Sequence, residues 1–323
     1  MINIDDLALD AKTIAISGHI RPDGDCIGSC LAMYLYLTKS YPDKKVDVFL
    51  QTIPPEYKIL KGVDAVKTDF KTDVESYDLF IVLDCGKERI GDAESFFDKA
   101  KKTANIDHHI SNLGTGDENY IVPTASSACE LVYDVLDKEM MDESIAKALY
   151  TGIITDTGVF KYSNTSPKTM KTGAALISYG FDFGTIIDSI FYEKTYVQNQ
   201  ILGRTLLEST LLMGGHCIYA AVNKQTMDFY KAANSDLEGI VSQLMLTKGV
   251  DCAVFASEMG SLEYKVSLRS NGNVNVASIA EMFGGGGHAR AAGCTMNGTS
   301  YDVINNLSQF IEQQLIENGI INK

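Results

Sequence analysis

Three short strand-like stretches in the first half of the chain, the third weaker in its first half, each end on acids or histidines. Thr13 to Ser17 leads into Gly18-His19-Ile20-Arg21-Pro22-Asp23-Gly24-Asp25, Leu79 to Leu83 leads into Asp84, and Lys101 to Ile106 leads into Asp107-His108-His109. A continuous apolar run as short as Leu79 to Leu83 reads as a parallel strand buried on both faces. Between these runs, Asp25 to Tyr41 places Ile27, Leu31, Tyr34, Leu35 and Thr38 on one helical face, and Val46 to Leu50 alternates as a strand does. Strands alternating with helices predict an α/β fold built on a parallel sheet. In open sheets of that kind ligands bind beyond the carboxyl ends of the strands, where the acids and histidines fall.

The pattern changes along the chain. From Ser126 it turns helical: Ser126 or Ser127 is placed to cap one helix, Asp142 the next, and a third runs from about Ser166 to Tyr179 and stops at Gly180. Glu193 to Leu212 has few breakers and reads as a helix joining two lobes. In the second lobe His216 to Val222, Cys252 to Ser257, Glu263 to Arg269 and Ala291 to Met296 read as strands. Leu237 to Leu246, Val276 to Phe283 and Tyr301 to Asn318 read as helices. A chain of 323 residues is long for one domain. The expected division is a parallel-sheet domain over 1–192, a helical linker over 193–213 and a smaller α/β domain over 214–323, with the active site in the cleft between the domains.

Bulk properties exclude several classes. A formal charge of −14 makes the chain a poor ligand for long duplex nucleic acid. A small anionic substrate stays open, because bound divalent cations reverse the local field. Seven cysteines, an odd number with no CxxC pair, argue against a disulfide framework and a zinc knuckle and fit a reducing, cytoplasmic setting. The acidic start lacks the apolar stretch of a secretory signal, and no run approaches the ~18 residues that span a bilayer.

The acid and histidine clusters carry the chemistry. A strand delivers His19, and Pro22 and Gly24 turn the chain after it. Asp23 and Asp25, two apart, point different ways and could serve two cations, with His19 beside Asp23; the plainer reading is a turn with Asp25 as a helix cap. Asp84 at its strand end could bridge two cations or simply close a turn. Adjacent His108 and His109 cannot face the same way, so one can ligate metal while the other faces substrate, with Asp107 orienting an imidazole. Asp156, in Thr151-Gly152-Ile153-Ile154-Thr155-Asp156, is a further carboxylate candidate. Mixed imidazole and carboxylate sets suit a cation such as Mn²⁺ better than Mg²⁺. Gly284 to Gly287 before His288 bears no side chains, so its backbone N–H groups can approach an anion, with Arg290 and Arg269 adding charge. His216 has no such company and reads as structural.

Taken in order, these residues resemble the DHH phosphoesterases, specifically those with a C-terminal DHH-associated domain. Asp107-His108-His109 matches the name-giving motif, Ser17 to Ser29 the first, Asp84 the second and Asp156 the fourth; Gly284 to Gly293 (GGGGHARAAG) matches the signature of the associated domain. The two-domain layout is similar to the oligoribonuclease and pAp-phosphatase branch, the nanoRNases. Pyrophosphatases of the superfamily lack the GGGGH signature. The larger single-strand exonucleases carry an extra OB-type domain, and membrane-bound cyclic di-AMP phosphodiesterases carry transmembrane and sensory segments.

The resemblance implies two Mn²⁺ ions. His19, Asp23 and Asp84 would hold one, and Asp25, Asp84, His108 and Asp156 the other. His109 would face the scissile phosphate with Asp107 beside it, and Arg269, Ser270, Gly286, Gly287 and His288 would bind substrate. It also implies hydrolysis of short oligoribonucleotides such as pApA to 5′-mononucleotides, and of pAp to AMP and phosphate. Two alternatives remain: a cyclic di-AMP phosphodiesterase and a non-catalytic nucleotide-binding module. The apolar helices after Ser126 could serve a core or a homodimer interface equally well.

Overall fold

A computed structural model describes residues 2–322 and separates them into two compact units that divide between Glu193 and Lys194.

The first unit is built on five parallel strands: β1 (Thr13–Ser17), β2 (Lys45–Phe49), β3 (Leu79–Leu83), β4 (Lys102–Asp107) and β5 (Glu118–Ile121), in the order β2-β1-β3-β4-β5. Alternate side chains of the central strands feed two cores. Ile14, Ile16, Ile81, Leu83 and Ile106 pack under the helices Gly24–Ser40, Ala128–Val135 and Glu143–Asp156. Ala15, Phe49, Phe80 and Val82 pack on the other face with Ile90, Ala93 and Phe97. Burial on both faces is why β3 reads as unbroken apolar sequence. The chain leaves β1 toward β2 on one side and returns through β3 on the other, so the carboxyl ends of β1 and β3 flank a crevice where the strand order reverses. β5 was missed from sequence, because Glu118 and Asn119 are exposed and break its apolar pattern.

One cap differs from the plainer expectation, and one decides between two candidates. Asp23, not Asp25, caps the helix Gly24–Ser40, its Oδ1 accepting from the N–H groups of Asp25 and Cys26. Ser127 caps the helix Ala128–Val135, while the Ser126 hydroxyl donates to Glu130 at 2.6 Å.

The second unit is a six-stranded mixed sheet: β6 (Thr210–Leu212), β7 (Cys217–Val222), β8 (Cys252–Gly260), β9 (Glu263–Ser270), β10 (Gly286–His288) and β11 (Ala291–Asn297), in the order β10-β11-β9-β8-β7-β6. Only β7 and β8 are parallel neighbours. One face is sealed by the helices Val276–Met282 and Ser300–Glu317 over Val254, Val266, Leu268 and Cys294. On the other, Phe255, Ala220 and Val222 pack with Leu237, Ile240 and Leu244 over β7 and β8. The expected joining helix over 193–212 is shorter, Tyr196–Leu207, with Ile201 buried in this second core. Its last residues form β6 instead.

The glycine run is not an open loop. The N–H groups of Gly284 and Gly285 donate to Glu281 and Ala280 and close the helix Val276–Met282, with Gly284 at φ 72°. Gly286 and Gly287 then join the ladder with β11. Glycine is required sterically at two of these positions: a Cβ on Gly285 would lie 2.2 Å from the Gly293 carbonyl oxygen, and one on Gly287 2.4 Å from that of Ala291. Among the described residues no helix is long and apolar enough to cross a membrane.

Candidate metal centre

The first unit gathers its acids and histidines at the carboxyl ends of β1, β3 and β4. His19 follows β1 by two residues. Its Nδ1 donates to the Ile20 carbonyl at 2.9 Å, which turns Nε2 toward Asp84 Oδ2 (3.3 Å) and Asp23 Oδ1 (3.6 Å). Asp84 comes directly after β3. Its N–H still donates to the Ile106 carbonyl, yet its φ is +60°. A non-glycine residue in the left-handed region costs of order 1–2 kcal/mol, and such strain persists where the surroundings over-determine it. The strained turn aims the carboxylate along the strand axis, between two imidazoles.

Asp84 Oδ2 faces His19, and Oδ1 faces His108 Nε2 at 3.5 Å. His108 Nε2 also lies 3.2 Å from Asp156 Oδ2 and 3.8 Å from Asp25 Oδ2. The ligand-type atoms of His19, Cys26 and Asp84 lie within 4.8 Å of one another, as do those of Asp25, His108 and Asp156. Asp84 thus stands between two groups, as a bridging carboxylate would.

Close helix packing brings Asp25 and Asp156 into place. Gly28 on the helix Gly24–Ser40 faces Gly152 on the helix Glu143–Asp156; a Cβ on Gly28 would lie 2.5 Å from the Ala148 carbonyl oxygen. A Cβ on Gly152 would lie 2.2 Å from Cys129 Sγ and 2.8 Å from Asp25 Oδ1. Asp156 is four residues on, on the same helical face. The Asp25 carboxylate also accepts the N–H groups of Ala128 (2.6 Å) and Cys129 (2.9 Å), tying it to the start of another helix.

Asp107 has a different task. Its Oδ1 accepts from the His108 and His109 N–H groups (2.7 and 3.1 Å) and from His109 Nδ1 (2.7 Å), and its Oδ2 accepts from Asn112 at 2.7 Å. Asn112 is held in turn by Asn105 Oδ1 at 2.9 Å. This network fixes the imidazole of His109 with Nδ1 occupied.

The electrostatics call for cations. Burial opposes charge on His19, yet hydrogen bonds to Asp23 and Asp84 raise its pKa to about 11. Burial also opposes charge on His108, and Asp84, Asp25 and Asp156 raise it to about 10. Burial, followed by the charges of Asp84 and Asp156, pushes the Asp25 carboxyl well up. Burial also lifts Asp156 to about 7, against His108 and with Asp84 and Asp23 adding. The carboxylates draw protons onto neighbouring groups for want of other positive charge. Asp84 is 2 % exposed, and its Oδ1 has no hydrogen-bond donor among the described residues. A buried uncompensated carboxylate costs several kcal/mol, so this orphaned oxygen fits a metal ligand. The mixed donor set suits first-row divalent ions.

The expected residues of the second unit do not all converge. On β9 side chains alternate, so Arg269 is on the face that β7 and β8 share with their helices, while Ser270 is buried on the opposite side. The Ser270 hydroxyl accepts from the N–H groups of Gly272 and Val274 (3.0 and 3.2 Å) and shapes a turn. Through the register His288–Ala291–Arg269, exposed His288 comes to the side of Arg269, with Gly286 and Gly287 on the same strand as the histidine. His216 is tied to Asp251 at 2.7 Å, within a network that includes Asn271 and Asn273.

Sequence reasoning missed Cys26, whose Sγ joins the His19 and Asp84 group, and the locking pair Asn105 and Asn112. Asn105, fully buried inside β4, was detectable as a polar interruption of a buried strand. Cys26 carried no signal, because a small buried thiol is ordinary core material.

Residues 13–153 match the DHH family, N-terminal domain, and residues 214–317 match the DHHA1 domain. A Bacillus subtilis protein named bifunctional oligoribonuclease and PAP phosphatase NrnA is 28 % identical over 292 residues, 88 % of this chain and 89 % of that protein. The Thermus thermophilus protein of the same name is 28 % identical over 298 residues, 90 % of this chain and 86 % of that one. The fold matches the crystal structure of an exopolyphosphatase-related protein from Bacteroides fragilis with a TM-score of 0.83, at 24 % identity, over 98 % of this chain and 96 % of that one.

Proposed function

This chain, which joins a DHH family N-terminal domain to a DHHA1 domain, is a DHH family protein, and we propose on that premise that it is a metal-dependent phosphoesterase hydrolysing short oligoribonucleotides to 5′-mononucleotides, and pAp to AMP and phosphate. The observation that carries the proposal is Asp84, a buried carboxylate with one oxygen toward His19 and the other, without a donor among the described residues, toward His108. The names of the two bacterial relatives support the substrate class.

Two Mn²⁺ ions are the proposed cofactors, one held by His19, Asp23 and Asp84 and the other by Asp25, Asp84, His108 and Asp156. Bound divalent ions supply a water of lowered pKa and neutralise charge gathering on the phosphoryl oxygens. The protein's own groups do the rest. Asp107 holds His109 through Nδ1 and, by that hydrogen bond, raises its pKa. His109 therefore presents Nε2–H as a cationic donor to a phosphoryl oxygen as charge develops. Arg269 and His288 are the proposed contacts for the far end of the substrate; Gly286 gives it room, since a Cβ there would meet nothing within 4 Å, while Gly287 lets the strand of His288 lie close against β11. Ser270 acts through the turn it shapes.

Side-by-side kinetics on pApA, pAp, cyclic di-AMP and short RNA test the proposal. The highest kcat/KM is expected on pApA. Preference for cyclic di-AMP would replace the oligoribonuclease reading, and nucleotide binding without turnover would make the chain a binding module.

A further inference from the structure

The face of β9 that carries Arg269 also carries three side chains that no role above uses. The helix Ile240–Met245 lies over β7 and β8 and reaches the near edge of β9. On β9 the same side presents Arg269, Ser267, Lys265 and Glu263 in succession, while Leu268, Val266 and Tyr264 are buried in the core beneath. Two hollows of about 460 and 630 Å³ adjoin this row, one toward Phe255 and one toward Gly285, and both include Lys265, Ser267 and half-exposed Met259. They form one groove across the strand.

Charge along the groove is ordered. The ion pairs of the second unit are Arg204–Glu208, His216–Asp251 and Lys224–Asp228, so neither Arg269 nor Lys265 has one among the described residues. Glu263 comes next after Lys265 on the same side of the strand, and Glu238 lines the wall of the first hollow. Neighbouring side chains on one face of a strand stand ~6.8 Å apart, comparable to the step between successive phosphates of an extended nucleic-acid strand. Opposite Ser267 and Arg269 on β11 are Gly293 and Ala291, too small to fill the groove.

We propose that Ser267 and Lys265 bind the next backbone phosphates of a single-stranded oligoribonucleotide whose terminal nucleotides are held at Arg269, and that Glu263 ends the track. The inference rests on the oligoribonucleotide reading given above and adds a length rule to it. Affinity rises from two nucleotides to about four as Lys265 is reached. It stops there, because a further phosphate meets the Glu263 carboxylate. Met259 offers an apolar edge to a base. The overall negative charge of the chain does not oppose this, since the track is short and neither Arg269 nor Lys265 is neutralised by an ion pair among the described residues.

The test is binding of fluorescently labelled oligoribonucleotides two to six long to the full-length protein in chelator, read by anisotropy as a function of salt. Wild-type affinity is expected to rise to a length of about four and then level. Lys265→Ala should weaken the tetranucleotide by roughly tenfold and the dinucleotide by less than about twofold. It should also reduce the salt slope for the tetranucleotide by about 0.7, the loss of one phosphate contact. Glu263→Gln should let affinity keep rising beyond four. Equal loss at every length in Lys265→Ala, no wild-type gain beyond two nucleotides, or no binding at all would overturn the track. Length-dependent binding without turnover when manganese is added would instead overturn the hydrolase reading and leave the track standing.

Discussion

Asp84 Oδ1 and His108 Nε2 lie 3.5 Å apart, and that oxygen, sealed from solvent, has no hydrogen-bond donor among the described residues. The other oxygen of the same carboxylate faces His19. One buried side chain therefore belongs to the group of His19 and Cys26 and also faces His108 of the other group, and its backbone stands at positive φ. Like charge from Asp25 and Asp156 surrounds His108 on the same side. Folding assembles this repulsion because a cation relieves it.

Stability without metal should fall as pH rises. The folded-state pKa values of His19 and His108 are raised to about 11 and about 10 from an ordinary 6.5. The folded protein thus binds more protons than the unfolded one above pH ~6.5. That contribution is fully present below the unfolded value and is lost as pH passes through the folded values. In chelator, Tm should decrease steadily from pH 6.5 to 9. With manganese present the decrease should flatten or reverse, because metal replaces the protons. Scanning calorimetry with and without manganese checks both; a chelator-treated protein that gains stability with pH would contradict the assignment.

Gly152→Ala should disturb the centre from a distance. The added methyl would press on Cys129 Sγ and Asp25 Oδ1. Overpacking of this kind costs typically about 1–3 kcal/mol. Thermal unfolding should show that loss, and metal titration a weakened second site. An unchanged metal titration would mean that Asp25 is not a ligand.

His109 and Asp107 should separate chemistry from metal binding. His109→Ala is expected to lower kcat by about 10²–10³-fold, the scale of one lost donor to developing charge. Manganese affinity should stay within a few-fold, since His109 Nδ1 is committed to Asp107. Asp107→Asn should move the basic limb of the kcat pH profile to lower pH, because His109 acts as a cation and Asp107 holds its pKa up. If it changes only protein yield, Asp107 is structural.

Arg269→Ala should raise KM for pApA by roughly tenfold and leave hydrolysis of a small activated phosphodiester nearly unchanged. Equal losses on both substrates would count against a substrate-binding role for the second unit.

Much of this site was legible before the fold was seen, and the reason is local. His19, Asp84 and Asp107 each stand at or just beyond the end of a strand-like stretch, and parallel strands place their carboxyl ends together whatever lies between. Asp156 needed more, because nothing in a helix-terminal aspartate says which way the helix lies. The information was in Gly28 and Gly152, whose missing side chains let two helices meet. The glycine run misled in the opposite direction. Its lack of side chains suggested free N–H groups, whereas the chain spends two of them closing a helix and puts the next residues into a strand. Arg269 and Ser270 illustrate a limit of motif reasoning: adjacent residues on a strand face opposite sides.

The most direct test is hydrolysis of pApA by wild-type protein and Asp84→Asn, in chelator and with added manganese. Wild-type turnover should be abolished by chelator and restored by manganese, and the variant should lose about 1000-fold or more. The variant should remain folded, with a Tm in chelator no lower than that of the wild type. Substantial turnover by Asp84→Asn, or full wild-type turnover in chelator, would contradict metal-dependent hydrolysis through Asp84.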